Sequence, residues 1–193
     1  MGDSPPFLLE SDRARDTGAA GFAPPDGPVP DAEHGPDRAT ARAVARGITR
    51  LFAQNDIWCL PEMPLRNGRR ADLMGIGAKG QVVIVEIKVA RGDLLGDGKW
   101  PDYLDFCDRF YWGVPPGLDR TPLEAEHYRP DCCGIIVADG YGAEILRPAP
   151  LHPLPSARRR CETERLARAA LRRLAVNGDP HCAQWGGAWG APG

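Results

Sequence analysis

Two strand-like segments joined by a short glycine-containing turn constrain the fold of this chain more than any other feature. The first segment runs from Arg70 to Ile76, the turn covers residues 77–80, and the second segment runs from Gln81 to Val89. The second segment is dominated by Val and Ile, which is typical of a buried strand. Such closely spaced segments with glycine between them favour an antiparallel hairpin. The centre of the chain is therefore predicted to be part of a β-sheet.

This hairpin is predicted to bring two carboxylates together. If the turn centres near Lys79, Asp72 lies opposite Glu86, and directly opposed residues hold their Cβ atoms roughly 4.5–5.5 Å apart on one face. Lys88 shares that face because side chains alternate along a strand. Two such carboxylates repel each other unless a proton or a cation lies between them. A slip of one residue in the turn would move Asp72 to the other face.

The pair predicts metal-dependent phosphodiester chemistry. A hard divalent cation with oxygen ligands suits Asp72 and Glu86, and Lys88 can meet the negative charge of a phosphate. Because two carboxylates should keep Lys88 protonated, an electrostatic role is favoured over that of a general base. The alternative is an ordinary surface hairpin with a weak Glu–Lys ion pair.

Length and composition fit one intracellular domain. A chain of 193 residues can bury a single core. No apolar stretch approaches the roughly 20 residues that cross a bilayer, and the N-terminus lacks the order of a secretory signal. The six cysteines form no C-x-x-C pair, so reduced thiols are favoured over a zinc site.

Charge and composition divide the chain into three parts. Residues 1–36 carry seven acidic residues against two arginines and are rich in Gly, Pro and Ala, so we expect a disordered acidic tail. Residues 37–175 are expected to form the domain, and residues 176–193 a flexible C-terminal tail. Although the whole chain carries a net charge of −2, residues 37–174 carry +4. A mildly basic domain suits a polyanionic partner but does not require one.

The remaining patterns alternate between helix and strand. A helix is expected to open at Pro36-Asp37 and to run to about Asn55, followed by a bent or edge strand from Ile57 to Leu65 that contains two prolines. After the hairpin we expect a short helix over 101–107, a strand over 110–114, a helical turn over 123–127, strands over 134–139 and 142–146, and an arginine-rich helix over 156–175. The order α-β-β-β-α-β, followed by an extra C-terminal β-hairpin and helix, predicts an α/β fold with a mixed sheet flanked by helices.

The order of elements, with Asp72 on the second strand and Glu86-x-Lys88 on the third, resembles the PD-(D/E)XK nuclease superfamily over about residues 37–114. The proline that usually precedes the aspartate is replaced by Ala71. A longer block, comprising residues 72–75, 85–88 and 98–111, is similar to the MmcB-like DNA repair family, and the likeness extends to about residue 174. This resemblance implies a restriction-endonuclease-like core in a bacterial cytoplasmic, nucleoid-associated protein that works on DNA alongside other DNA repair proteins.

The resemblance also implies roles for individual residues. Asp72 and Glu86 would bind Mg²⁺ or Mn²⁺, and the carbonyl of Ile87 would be a further ligand, as in similar nucleases. Lys88 would be the third catalytic residue.

Asp93, Lys99 and Tyr103 are second-tier candidates for the same site. Lys99 and Tyr103 are four residues apart at a helix start, so they can face one side, and some similar nucleases carry a glutamine and a tyrosine at this spacing. The alternative is a capping Asp, a solvated Lys and a half-buried Tyr. Lys99 and Trp100 are also candidates for DNA contact, Trp100 by stacking on a base, although large aromatic residues are more often part of a core.

The last predicted helix carries seven arginines and two glutamates between residues 156 and 174. Leu166, Ala170, Leu171 and Leu174 form an apolar stripe by which it can dock. Arg158, Arg159 and Arg160 are predicted to bind phosphates without reading base sequence, and a solvated helix face is the alternative.

Three functions remain open from the sequence. The first is a metal-dependent nuclease or a nuclease-derived processing factor in DNA repair. The second is a non-catalytic DNA-binding or scaffold protein that retains the fold. The third is an interaction module recruited through its acidic tail.

Overall fold

A computed structural model describes residues 36–185 of the protein, with side chains from residue 40 to residue 184. The helices are α1 (Pro36–Gln54), α2 (Arg91–Gly96) and α3 (Ser156–Gly178). The strands are β1 (Ile57–Pro64), β2 (Arg70–Gly77), β3 (Val82–Ile87), β4 (Arg109–Val114), β5 (Cys133–Ala138) and β6 (Ala143–Arg147). Short 3-10 segments cover Trp100–Phe106, Thr121–Glu124, Glu126–Tyr128 and Pro180–Trp185.

The six strands form one sheet in the order β1-β2-β3-β4-β5-β6. Strand β2 is antiparallel to both β1 and β3, β4 and β5 run parallel to β3, and β6 is antiparallel to β5. The predicted α/β fold with a mixed sheet and flanking helices is therefore confirmed. Every residue of the central strands β3 and β4 is buried, as expected for parallel strands that are covered on both faces of the sheet.

A separate hydrophobic core lies on each face of the sheet. Helix α1 covers one face, where Val44, Ile48 and Phe52 pack against residues such as Val85. The other face carries Met74, Ile84, Phe110 and Trp112 and is covered by the Trp100–Phe106 segment and by the part of α3 around Leu166. Because side chains alternate along a strand, Asp72 and Glu86 belong to this second face, two residues from Met74 and Ile84.

The hairpin between β2 and β3 has the predicted register. Leu73 pairs with Val85 and Ile76 with Val82, so the next position outward sets Asp72 opposite Glu86. The turn is closed by a hydrogen bond from Gly80 N–H to the Gly77 carbonyl at 2.8 Å. Gly80 has a φ of 76°, a conformation that glycine adopts without the steric cost of a Cβ atom.

Strand β1 lies at the edge of the sheet, as its two prolines predict. Glu62 in this strand has a φ of 53°, which is uncommon for a residue other than glycine. Its side chain forms an ion pair with Arg70 on β2.

The structure also differs from the sequence predictions. Helix α2 was not predicted, and α3 continues to Gly178 before the 3-10 segment that ends at Trp185. The predicted apolar stripe docks only in part: Leu166 is buried, but Leu171 and Leu174 are 66% and 68% exposed. Only the first half of α3 has buried side chains, so its later leucines face solvent. The predicted acidic tail, apart from Pro36, and the end of the predicted C-terminal tail lie outside the described residues.

None of the helices between residues 36 and 185 combines the length and the hydropathy needed to cross a membrane.

Candidate active site

The carboxylates of Asp72 and Glu86 each accept a hydrogen bond from a main-chain N–H of the opposite strand. The Ile87 N–H donates to Asp72 Oδ2 at 2.7 Å, and the Asp72 N–H donates to Glu86 Oε1 at 3.2 Å. Glu86 is almost completely buried, whereas Asp72 is half-buried. Both carboxylates are therefore fixed on one face of the hairpin, as the register requires.

Ionising both carboxyl groups of this pair is unfavourable in the metal-free protein. Burial and then the charge of Asp72 raise the pKa of Glu86 to about 8, although Lys88 and the Asp72 N–H oppose this rise. Burial also raises the pKa of Asp72, despite the Ile87 N–H bond and the charge of Lys88. Near neutral pH the pair therefore holds a proton or needs a cation.

Lys88 lies beside this pair but contacts a different acid most closely. Its Nζ is 2.8 Å from Asp97 Oδ2, and 3.9 Å from both Glu86 Oε2 and Asp93 Oδ1. Burial disfavours the ammonium, but the hydrogen bond and charge of Asp97, followed by Asp93 and Glu86, outweigh it and raise the pKa of Lys88. Lys88 is thus a protonated ammonium, which fits an electrostatic role and not that of a general base.

An open cleft of about 700 Å³ lies over these groups. Its lining includes Glu86 and Lys88 together with all three second-tier candidates: Asp93, Lys99 and Tyr103. The ring of Tyr103 stacks on Phe110 with centroids 6.0 Å apart, and its hydroxyl donates to the Arg70 carbonyl at 3.3 Å. Burial, with nearby carboxylates, raises the pKa of Tyr103 far above its usual range, so this phenol stays a hydrogen-bond donor.

The structure contradicts the expectation that Trp100 contacts DNA. Its side chain is fully buried, and its ring lies 5.7 Å from Phe110 and 5.6 Å from Trp112 between centroids. A side chain enclosed in this aromatic cluster cannot stack on a base. The same burial applies to Tyr111 and Trp112, so these three aromatic residues belong to the core.

The prediction that Arg159 binds phosphates is also wrong, because its side chain binds the buried carboxylate of Asp108. Asp108 is fully buried and accepts hydrogen bonds from the backbone N–H groups of Val82 and Leu154, each at 2.7 Å. Arg159 Nε donates to the same carboxylate at 3.2 Å, and Nη2 makes a second bond. Burial alone would raise the pKa of Asp108, but Arg159 and the two N–H groups lower it. Arg159 therefore attaches α3 to the rest of the domain through Asp108.

The two flanking arginines differ from Arg159. Arg158 and Arg160 are exposed. The Arg158 guanidinium lies over the Phe106 ring at 5.3 Å from its centroid, and Arg160 Nε is 3.7 Å from Glu164 on the solvent side. Both remain accessible to a phosphate.

Sequence reasoning missed Asp97 and Asp108. Asp97 lies between two glycines, nine residues after Lys88 and two before Lys99, and this spacing is the signal that could have pointed to it. Asp108 gave no comparable signal because its partners are 26, 46 and 51 residues away.

The possible metal ligands are few. Across residues 36–185, no three His, Cys, Asp or Glu side chains approach closely enough to hold an ion. A cation at this cleft would therefore have two carboxylate ligands, and oxygen from the main chain and from water would complete its shell.

The comparisons with known proteins agree with the resemblance seen in the sequence. Residues 28–181 match the family model described as DNA repair protein MmcB-like. The chain is also similar to a solved structure, the SPO1766 protein of unknown function from Silicibacter pomeroyi, at 37% identity and a TM-score of 0.67. That similarity covers 74% of this chain and 93% of the other. Among curated proteins there is no match. The chain belongs to the MmcB-like DNA repair family.

Proposed function

We propose that this protein is a Mg²⁺- or Mn²⁺-dependent DNA phosphodiester hydrolase, or a DNA-processing factor, that acts in DNA repair through a PD-(D/E)XK-like active site. The observation that carries the proposal is the hydrogen-bonded Asp72–Glu86 pair with Lys88 beside it, where Glu86 and Lys88 line an open cleft. Membership of the MmcB-like family supports DNA and other repair proteins as its partners.

The order of the strands supports a restriction-endonuclease-like core. An antiparallel unit of β1, β2 and β3 is followed by β4, which runs parallel to β3. The two carboxylates lie on the second and third strands of this unit, where the superfamily pattern expects them. Helices α1 and α3 cover opposite faces of the sheet.

The donor set fits a hard divalent cation. Burial, followed by the charge of Asp72, raises the pKa of Glu86 to about 8, so a cation that displaced the proton would stabilise the ionised pair, and oxygen ligands suit Mg²⁺ and Mn²⁺. Asp72, Glu86 and the carbonyl of Ile87 would hold the ion. When bound, the ion would supply an activated water and neutralise charge on the phosphate.

The chain's own residues supply the remaining functions. The Lys88 ammonium would stabilise the charge that develops on the phosphate oxygens. Tyr103 offers a protonated hydroxyl on the wall of the cleft, and Lys99 an exposed positive charge at its rim. Arg158 and Arg160 would add attraction for the DNA backbone.

A metal titration tests this proposal. Mn²⁺ should raise the melting temperature of the wild type and support cleavage of duplex, single-stranded or branched DNA, because an ion that binds only the folded state stabilises it. Asp72→Asn and Glu86→Gln should abolish both effects. The matched control is Glu126→Gln, at an exposed glutamate outside the cleft. Equal stabilisation of the wild type, Asp72→Asn and Glu86→Gln would contradict the metal site.

A second candidate is a catalytically inactive DNA-binding or scaffold protein that retains the nuclease fold. Two observations favour it: a proton on Glu86 can neutralise the pair without a metal, and Lys88 already has a close partner in Asp97. This function predicts salt-dependent DNA binding with neither cleavage nor a response to Mn²⁺. The same titration separates the two candidates.

A further inference from the structure

We propose that Asp97 is a positioning residue: it draws the Lys88 ammonium away from Glu86, so that the Asp72–Glu86 pair stays available to a cation and the ammonium faces the cleft. The cation and the reaction rest on the proposed function above. The contact between Asp97 and Lys88 does not depend on that function, and it can be tested separately.

The distances identify Asp97 as the partner that holds Lys88. At 2.8 Å the Asp97–Lys88 contact is a charge-assisted hydrogen bond, whereas the 3.9 Å contacts to Asp93 and Glu86 are too long for one. The side chains of Lys88 and Asp97 are 10% and 17% exposed, and that of Asp93 is 55% exposed. Solvent therefore screens the Asp97 contact much less than the Asp93 contact.

Asp97 is itself held by its contact with the buried end of α2. Its N–H donates to the Leu94 carbonyl at 3.3 Å, and the Leu94 side chain is fully buried. The same carbonyl accepts the Tyr128 hydroxyl at 2.8 Å, and the Tyr128 ring packs edge-on against Trp112 with centroids 5.8 Å apart. The core thus fixes the end of α2, and the end of α2 fixes Asp97.

Lys88 needs such a partner because it competes with a cation for the same carboxylates. Glu86 is deeply buried next to Asp72, and a lysine on a flexible stem is the nearest positive charge in the cleft. Without Asp97, the ammonium is expected to move from 3.9 Å to hydrogen-bonding distance from Glu86. It would then neutralise the pair and oppose metal binding.

The lysine content of the chain gives a direct test of the contact. There are three lysines, Lys79, Lys88 and Lys99, and the first and last are exposed. In ¹⁵N-lysine-labelled full-length protein without metal, Lys88 should give a protected ammonium signal, assigned with Lys79→Arg and Lys99→Arg. Asp97→Asn should shift or remove that signal, and Asp93→Asn, the matched control in α2, should leave it in place. An unchanged signal in Asp97→Asn would overturn the proposal.

Metal binding gives the second test. Asp97→Asn should weaken Mn²⁺ binding more than Asp93→Asn does, and adding Lys88→Ala to Asp97→Asn should restore it, because the competing ammonium is then gone. A purely structural role of Asp97 predicts no such rescue. If the double variant binds Mn²⁺ as weakly as Asp97→Asn, the proposal is wrong.

Cleavage gives the third test. Misplacing Lys88 in Asp97→Asn should lower kcat between about 10-fold and about 100-fold with a smaller change in KM for DNA. Lys88→Ala and the double variant should have similar rates, because the two residues act as a unit. Additive losses would overturn the proposal.

A second variant keeps the proposal testable if Asp97→Asn fails to fold. Asp97→Glu retains the charge on a longer side chain and should keep part of the ammonium signal. Loss of that signal in a folded Asp97→Glu would overturn the positioning geometry. If the wild type neither cleaves DNA nor responds to Mn²⁺, the proposed function fails, and the ammonium signal still decides the role of Asp97.

Discussion

At the scale of single residues, Glu86 makes the stability of the protein depend on pH. Its pKa is raised from 4.5 to about 8 on folding, so the folded state binds this proton more tightly than the unfolded state does. The metal-free protein should therefore lose stability as the pH rises from about 4.5 to about 8. Burial raises the pKa of Asp72 as well, which acts in the same direction.

Melting temperatures in EDTA across that pH range measure this dependence. The decline should be shallower in Glu86→Gln than in the wild type, and Glu126→Gln should behave like the wild type. Identical profiles for the wild type and Glu86→Gln would mean that Glu86 is ionised throughout.

The Lys88 ammonium should matter for cleavage and not for metal binding. Lys88→Ala should leave Mn²⁺ stabilisation nearly intact, because lysine is not a ligand, and should lower any cleavage rate by roughly 10²-fold or more. Lys79→Ala removes the same charge from the exposed turn and should cleave at the wild-type rate. Full activity in Lys88→Ala would show that the ammonium takes no part in the reaction.

Local geometry made part of the candidate site predictable. A short turn fixes which residues of a hairpin face each other, so the Asp72–Glu86 contact followed from the spacing around Lys79. Asp97 meets Lys88 only through α2, whose six residues are too few to show a helical period. The burial of Trp100 depends on its packing against Phe110 and Trp112 of β4, and Arg159 binds Asp108 from 51 residues away. Neither contact follows from a local pattern.

At the scale of elements, α3 is attached through Arg159. Arg159→Ala removes the side-chain partner of a buried carboxylate and should lower the free energy of unfolding by about 1–3 kcal/mol. The Arg159 side chain is one-third exposed, so water can replace part of the interaction. Urea unfolding measures the change. Arg158→Ala, the neighbouring exposed position, should change stability by less than about 0.5 kcal/mol, and an equal loss in the two variants would contradict this assignment.

Sequence patterns predicted most elements because the strands are short, apolar and separated by glycine or proline. These patterns did not predict along how much of its length each element packs against the core. Leu166, Ala170, Leu171 and Leu174 have the spacing of a docked helix, yet Leu166 is buried while Leu171 and Leu174 are exposed. A periodic stripe indicates which face of a helix can be buried, and only the tertiary structure shows where the contact ends.

At the scale of the whole molecule, positive charge is concentrated on α3, which carries seven arginines against two glutamates between residues 156 and 174. If DNA is the partner, the double variant Arg158→Ala/Arg160→Ala should bind DNA more weakly than the wild type does. The loss of affinity should be about the same for unrelated base sequences. The double variant should also flatten the plot of log affinity against log salt by up to about two phosphate contacts.

The matched control for this measurement is Arg42→Ala/Arg46→Ala, which removes the same charge from α1 on the opposite face of the sheet. This control should keep the wild-type salt slope. If the α3 variant keeps it too, its arginines form a solvated face, and DNA contact would have to lie nearer Lys99.

The irregular edge strand β1 bears on how copies of this protein can meet. Free strand edges invite pairing with other chains, and proline and local twisting are common protections against it. Pro61 and Pro64 lack N–H donors, and the left-handed backbone at Glu62 interrupts the extended path between them. The β1 edge of the sheet is thereby a poor template for a neighbouring strand. Copies of this protein at high concentration should therefore not pair their sheets along β1.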